Sequence, residues 1–324
     1  NRAFGTNFLI IPGTSSALVE GVIAYSDYTM NMNETTTNQN QMSNIGGFNV
    51  GMSVTNFFGD DRLKYGMEME GNTTKTSYKI NDTITDYSTE IGLYAIYKLL
   101  YRNVLVEPSL RLSYYASLGD VFLEPRLSAK WNVTKKFRFK LASGMYSQTF
   151  LDTKSDRDIV NLFTGYLTVT PDLNIVDSFR GNPINSYVQT SNHFIFGAEY
   201  DILRNFNLNV ELYYKTMSNL TSINRDKLYA DDQEHIEKPG YLRKEYTVEN
   251  GKAYGADFSL KYDDGRLYVW TIYSLGKVIR EGEMQTYTPH YDRRHNVNVL
   301  INYQMGQSRD FEISVRWNYG SGFP

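Results

Sequence analysis

The chain has 324 residues, with 33 Lys and Arg against 36 Asp and Glu and no cysteine. The net charge of −3 carries no basic footprint for nucleic acid, and the missing thiols exclude a disulfide framework and a cysteine metal site. No apolar run approaches the roughly 18 residues of a membrane helix, whereas a mean hydropathy of −0.45 still allows strands that cross a membrane with one wet face.

Alternation of apolar and polar residues, the mark of a strand with two different faces, starts at the N-terminus and recurs throughout. The first five expected strands cover 2–11, 18–32, 46–57, 63–71 and 88–98. Their connections are a tight turn at Gly59-Asp60-Asp61-Arg62 and long polar stretches at 33–43 and 72–87. The next two strands are cleaner. Val104, Val106, Pro108, Leu110, Leu112 and Tyr114 oppose Glu107, Ser109, Arg111 and Ser113. Val121, Leu123, Pro125, Leu127, Ala129 and Trp131 oppose Glu124, Arg126, Ser128, Lys130 and Asn132. Pro108 and Pro125 each forfeit a ladder hydrogen bond, so each is expected to mark a bulge or a strand end.

Further strands are expected over 137–149 and 193–202, then over 206–215, where Phe206, Leu208, Val210, Leu212 and Tyr214 oppose Asn207, Asn209, Glu211, Tyr213 and Lys215. Strands over 254–262, 267–277 and 296–305 follow, and a last one sets Phe311, Ile313, Val315, Trp317 and Tyr319 against Glu312, Ser314, Arg316 and Asn318. The total is about fourteen, without a domain boundary.

Tight turns at Tyr101-Arg102-Asn103, Val133-Thr134-Lys135-Lys136, Leu203-Arg204-Asn205, Asp263-Asp264-Gly265-Arg266 and Gln307-Ser308-Arg309 alternate with long connections at 150–190, 218–252 and 278–294. Short turns on one rim and long loops on the other, with 27 Tyr and 17 Phe to supply aromatic girdles, predict an antiparallel transmembrane β-barrel. The rival is a soluble β-sandwich with the apolar faces as its core. The expected domain is a barrel over 1–324, incomplete and belonging to a barrel of 22 strands whose lumen holds a plug.

Two sets of residues are candidates for function. Phe163, Tyr166, Phe179, Tyr187, Tyr229 and Tyr241 lie among polar residues in the two longest loops, where aromatic faces can hold a sugar or peptide or can pack on one another. Asp292, Arg293, Arg294 and His295, with His290 nearby, form the densest polar cluster. Two imidazoles beside a carboxylate could hold zinc, but a returning loop anchored by Arg to carboxylates is the preferred reading. No nucleophile elbow, phosphate loop or zinc-protease helix is present, so neither catalysis nor a cofactor is expected.

Four segments resemble the barrel of TonB-dependent outer-membrane receptors, in the branch that carries a carboxypeptidase-regulatory-like domain before the plug. They are Leu123-Glu124-Pro125-Arg126-Leu127-Ser128 ahead of the Lys135-Lys136 turn, Gly144-Met145-Tyr146-Ser147-Gln148 entering a long loop, and Val210-Glu211-Leu212-Tyr213-Tyr214-Lys215 followed by Asn219-Leu220. The fourth is Tyr291-Asp292-Arg293-Arg294-His295-Asn296 followed by Arg316-Trp317-Asn318-Tyr319-Gly320-Ser321-Gly322. The resemblance implies nutrient uptake across a bacterial outer membrane, capture of the ligand by extracellular loops, and coupling to the TonB complex through a plug outside these residues. Outer-membrane lipid and a surface lipoprotein are the other partners it implies. A passive pore or a scaffold barrel in a surface complex is the alternative.

Overall fold

The computed structural model describes residues 1–13, 16–34, 39–79, 82–152, 157 and 165–323. Most of them are in antiparallel strands. In chain order these are β1 (Arg2–Ile10), β2 (Ala17–Glu34), β3 (Gln39–Phe58), β4 (Asp61–Lys79), β5 (Asp82–Tyr101), β6 (Val104–Tyr115), β7 (Asp120–Asn132) and β8 (Phe137–Gln148). Four short strands follow in one loop: β9 (Phe150–Asp152), β10 (Tyr166–Thr168), β11 (Ser178–Phe179) and β12 (Asn182–Pro183). The remainder are β13 (Gln189–Leu203), β14 (Phe206–Ile223), β15 (Tyr246–Asp263), β16 (Leu267–Glu281), β17 (Thr286–Tyr287), β18 (His295–Met305) and β19 (Phe311–Gly320), with one helical turn, α1 (Gly240–Arg243), before β15.

Fourteen strands lie side by side in the order β1 to β8, β13 to β16, β18, β19, and β17 adds to the end of β16. Each long strand pairs with its neighbour in sequence, as the hairpin alternation predicts, and the sheet runs open from β1 to β19.

Register sorts the two faces. Val104, Pro108, Leu110 and Leu112 stand opposite Trp131, Leu127, Pro125 and Leu123, while Arg111 stands opposite Glu124. At the far end Val297, Val299 and Ile301 stand opposite Tyr319, Trp317 and Val315. The apolar side chains of the wall are turned out of the protein: Leu123 is 55% exposed, Leu212 51% and Trp317 53%. Apolar runs such as Phe206 to Tyr214 and Phe311 to Tyr319 have the length of a tilted membrane crossing, about 9–11 residues, and end on aromatic rings.

The polar face is concave. Residues 166–175 reach from β4, where Thr76 Oγ1 donates to the Tyr166 carbonyl at 2.8 Å, to β15, where Ile175 bridges Tyr246. β4 and β15 are seven places apart in the sheet, roughly 33 Å if it were flat. A fully extended chain of that length spans only about 33 Å. This one also contains a turn closed by Leu173 N–H on the Thr170 carbonyl at 3.1 Å, so only a curled sheet brings its anchors within reach.

Three expectations are revised. The stretches 33–43 and 72–87, expected as loops, lie largely in strands: β2 pairs with β3 out to Glu34 opposite Gln39, and β4 with β5 out to Lys79 opposite Asp82. Thr83, Ile84, Thr85 and Tyr87 are strand formers in the second stretch, and in both stretches cross-strand pairing outweighs the polar, Asn- and Thr-rich composition. Likewise β14, β15 and β16 run on into the regions expected as loops. Both prolines lie within strands. The β5–β6 ladder omits Pro108, skipping from Ile96 opposite Ser109 to Leu99 opposite Val106, and the β7–β8 ladder ends at Arg126, beside Pro125. Each proline thus keeps one complete ladder, between β6 and β7, and aims its missing N–H at an interrupted one.

Candidate functional site

The inner face of the wall is laced by ion pairs that the alternation places there. Arg111 binds Glu68 on β4 at 2.8 Å and Glu90 on β5 at 3.0 Å, and its Nε donates to Ser113 at 3.1 Å. Gly92 leaves room for that guanidinium, with which a Cβ would collide. Glu124 holds Arg126 at 2.6 Å and accepts from Ser147 on β8 at 2.5 Å. A second set joins β8, β13 and β14: Arg138 bridges Glu199 and Asp201, each at 2.7 Å, Lys140 meets the other oxygen of Glu199 at 2.7 Å, and Asn207 donates to both carboxylates. Charge-assisted bonds of this kind fix neighbouring strands laterally on a wet face.

Above the long-loop ends of the strands the pattern inverts. Leu151, Leu167, Val169, Val176 and Val248 form a buried cluster with Tyr246, and Ile84 of β5 and Ile223 of β14 pack against it. Residues 165–190 thereby make a folded cap across the concave side. Tyr166 N–H donates to Ser43 Oγ on β3 at 2.9 Å, and Thr170 donates to Asp86 on β5 at 3.3 Å. Burial of Asp86 pushes its carboxyl above the usual range, with Asp172 nearby adding to the effect.

Asp231 clasps the cap to the loop before β15. Its carboxylate accepts from Asn174 at 2.9 Å and Lys244 at 2.9 Å and is bonded by Arg243. The Lys244 bond, then those from Arg243 and Asn174, hold its pKa down to about 2. Ser186 donates to Asp120 at 2.6 Å, and Arg180 donates to the Gly282 carbonyl at 2.9 Å. The cap is therefore tied to the start of β7, to the loop before β15 and to the loop after β16.

The candidate aromatics do not converge on one surface. Tyr187 and Tyr241 pack against the buried cluster, and burial raises the Tyr187 hydroxyl pKa. Tyr166 is fixed by its backbone on β3 and β4. Phe179 lies under Arg180 at 5.4 Å, and Tyr229 sits apart between Lys238 at 5.3 Å and His235 at 5.2 Å. Phe163 lies outside the described residues.

The polar cluster at 292–295 is an anchor in its geometry. Asp292 is buried, accepts from Val278 N–H at 3.0 Å and faces Arg294 at 3.6 Å. His295 Nδ1 is 2.8 Å from the Tyr273 hydroxyl, and Arg293 lies over the Phe323 ring at 4.8 Å. Among the described residues no group of three or more His, Asp or Glu could hold a metal ion.

Beside the cap, at the long-loop ends of β8 and β13 to β16, lies a polar cavity of about 340 Å³ whose polar lining is Gln148, Asp152, Gln189, Thr221, Ser222, Glu249, Arg280 and Tyr291. Sequence reading missed it because its walls come from six separated segments. The available signal was Tyr246-Thr247-Val248-Glu249, an alternating run inside a stretch read as loop.

No protein-family profile matches the sequence, and no protein of curated function matches it. Solved structures do match in fold. The FrpB iron transporter of Neisseria meningitidis (F3-3 variant) superposes with a TM-score of 0.68 at 12% identity, over 98% of this chain and 50% of its own. The siderophore receptor PirA of Pseudomonas aeruginosa gives 0.59 at 12% identity, over 98% and 62%. The outer membrane transporter YddB of Escherichia coli gives 0.65 at 9% identity, over 98% and 50%. The chain spans about half the length of most such structures, and its fold is that of the wall of an outer-membrane receptor or transporter β-barrel.

Proposed function

We propose that the chain is the wall and loop cap of a transporter that takes up a nutrient ligand across the outer membrane in a TonB-dependent way. The observation that carries this reading is the cap itself. A wall that served as a passive pore or scaffold has no need of a folded segment crossing its mouth beside a polar cavity. The ligand is captured among the long loops and lies in that cavity. Two carboxylates, two amides and the hydroxyls of Thr221, Ser222 and Tyr291 around one guanidinium suit a neutral, hydroxyl- or amide-rich ligand better than a strongly anionic one. The aromatics Tyr229 and Phe179, held at the cap margin rather than in its core, are the loop residues nearest in character to a ligand platform. The cluster at 292–295 serves structure, and the chain performs no catalysis.

In this reading the domain over 1–324 is one part of a 22-stranded barrel. A plug domain with a TonB box lies elsewhere in the protein, behind the carboxypeptidase-regulatory-like domain of that branch, and a surface lipoprotein seats on the cap. The test is uptake by cells carrying the intact protein. Accumulation that stops when TonB is deleted, together with a plug sequence encoded ahead of Asn1, supports the reading. Uptake that continues without TonB sinks it in favour of a pore.

A further inference from the structure

The short-turn rim carries an uneven distribution of charge. Three successive turns along it, at 102–103, 133–136 and 204–205, present Arg102, Lys135, Lys136 and Arg204 and contain no carboxylate. All four cations are exposed, and none is ion-paired among the described residues. The turns on either side do carry acids: Asp60 and Asp61 precede Arg62, and Asp263 and Asp264 precede Arg266. Carboxylates closer to the three turns are already engaged, Glu107 by Arg62 at 3.6 Å and both Glu199 and Asp201 by Arg138 at 2.7 Å.

Backbone and side-chain bonds fix this stretch as one ridge. Asn132 N–H donates to the Asn103 carbonyl at 2.8 Å, and Asn103 Nδ2 returns a bond to the Asn132 carbonyl at 2.7 Å. Asp201 N–H donates to the Lys136 carbonyl at 2.8 Å, linking the second turn to the strand that enters the third. With two strands between turns, the cations recur every ~10 Å, near the Debye length of physiological salt. Directly beside them the apolar band ends in exposed residues: Tyr101, over which Arg102 lies at 5.3 Å, then Trp131 and Leu203.

We propose that this ridge binds the headgroup phosphates of anionic phospholipid in the leaflet at the short-turn rim, the periplasmic one in barrels of this kind. Unpaired cations on fixed turns sit where the bilayer interface must fall, while Tyr101 and Trp131 hold that depth as interfacial aromatics do. The acid-bearing turns on either side bound the site. It rests on the reading of the chain as a membrane barrel wall and adds to it a lipid preference with an address.

The test uses the full protein in vesicles of phosphatidylcholine and phosphatidylglycerol, with bromine placed on the acyl chains of one lipid or the other at equal mole fraction. Trp131 emission is isolated as the difference from a W131F variant. Brominated phosphatidylglycerol is expected to quench Trp131 more than brominated phosphatidylcholine does. In the variant R102Q/K135Q/K136Q/R204Q that preference should fall about fivefold or more, the change that ~1 kcal/mol from even one cation represents. K135Q/K136Q should fall part of the way, which separates loss of the site from misfolding of the quadruple variant. Equal quenching by the two lipids in the parent protein, or a preference unaltered in the variants, overturns the proposal. Loss of the preference in millimolar inorganic phosphate would reassign the ridge to free phosphate and overturn it too. Absence of quenching by either lipid would instead remove the membrane reading on which it stands.

Discussion

The wall and the cap use the same residue types with opposite sense. In the wall, Leu123, Leu212 and Trp317 face outward, and the inner face is held by Arg111, Glu124, Arg138 and Glu199. In the cap, Leu167 and Val169 are fully buried against Val248 at the start of β15, and the polar clasp at Asp231 sits outside them. The solvent differs, and that decides the sense. Lipid tails are as apolar as leucine, so burying leucine between wall strands would gain nothing. The wall coheres through its backbone ladders, which no lipid can replace. The cap stands in water, where removing apolar surface stabilises by about 25 cal/mol per Å².

If this division is right, truncating the cap core should open the cap and spare the wall. Leu167→Ala is expected to cost the cap about 2–5 kcal/mol. Hydrogen exchange over 165–190 should rise while the denaturant midpoint of the strands stays put. A drop in that midpoint would mean that wall and cap unfold as one unit, and the comparison would break. The wall answers to the opposite change. Leu123→Arg places a charge in the apolar band and should cost about 2–4 kcal/mol in unfolding from lipid vesicles. The same change at Leu228, exposed in a water-facing loop, should stay within about 0.5 kcal/mol.

How much of this division the sequence carries follows from the same physics. A strand between lipid and water must alternate, so Phe206 to Lys215 and Phe311 to Tyr319 are legible residue by residue, and their faces agree with the register. The overhangs of β2 to β5 stand above the band with water on the outside. Their residues alternate only weakly, and Asn and Thr there read as loop until the partner strand is seen. The cap was opaque for a different reason. Leu167, Val169, Leu173, Ile175 and Val176 are close in sequence, but the core they form is completed by Leu151 and by Tyr246 and Val248, some seventy to eighty residues on, and no local period reveals that partner. The cavity beside it, lined from separate strand ends, inherits the same opacity. The basic turns could be read from the sequence alone, but not the Asn103–Asn132 and Lys136–Asp201 bonds that align them.

A smaller effect is expected within the wall from Arg138→Met. The change strands Glu199 and Asp201 beside each other with Lys140 as their remaining cation. A fully buried pair broken this way costs about 3–5 kcal/mol, but the lumen is wet and about 1–3 kcal/mol is expected in the same vesicle assay. R138M/E199Q/D201N should recover most of it. Failure to recover would mean that Arg138 acts through its packing rather than its charge.

The mildest and most specific probe is the pH response of the Asp231 clasp. Lys244, Arg243 and Asn174 depress its folded pKa to about 2, below the 3.8 of an unperturbed aspartate. A depressed carboxyl stabilises the folded state above its unfolded pKa and ceases to as the pH falls through the folded one. Protection of the loop at 224–245 from protease or hydrogen exchange should therefore be flat from neutral pH to about 5 and decline between about 4 and 2. D231N should show weaker protection at neutral pH and little further loss on acidification, since its amide cannot titrate. Asp86 supplies the internal contrast: burial raises rather than lowers its pKa, so the folded state takes up this proton first and acidification favours the contact with Thr170 instead of loosening it. Protection at 165–175 should therefore hold or rise while protection at 224–245 declines. Loss at 165–175 ahead of 224–245 would mean that the Asp86 carboxyl does not govern the tie between cap and β5.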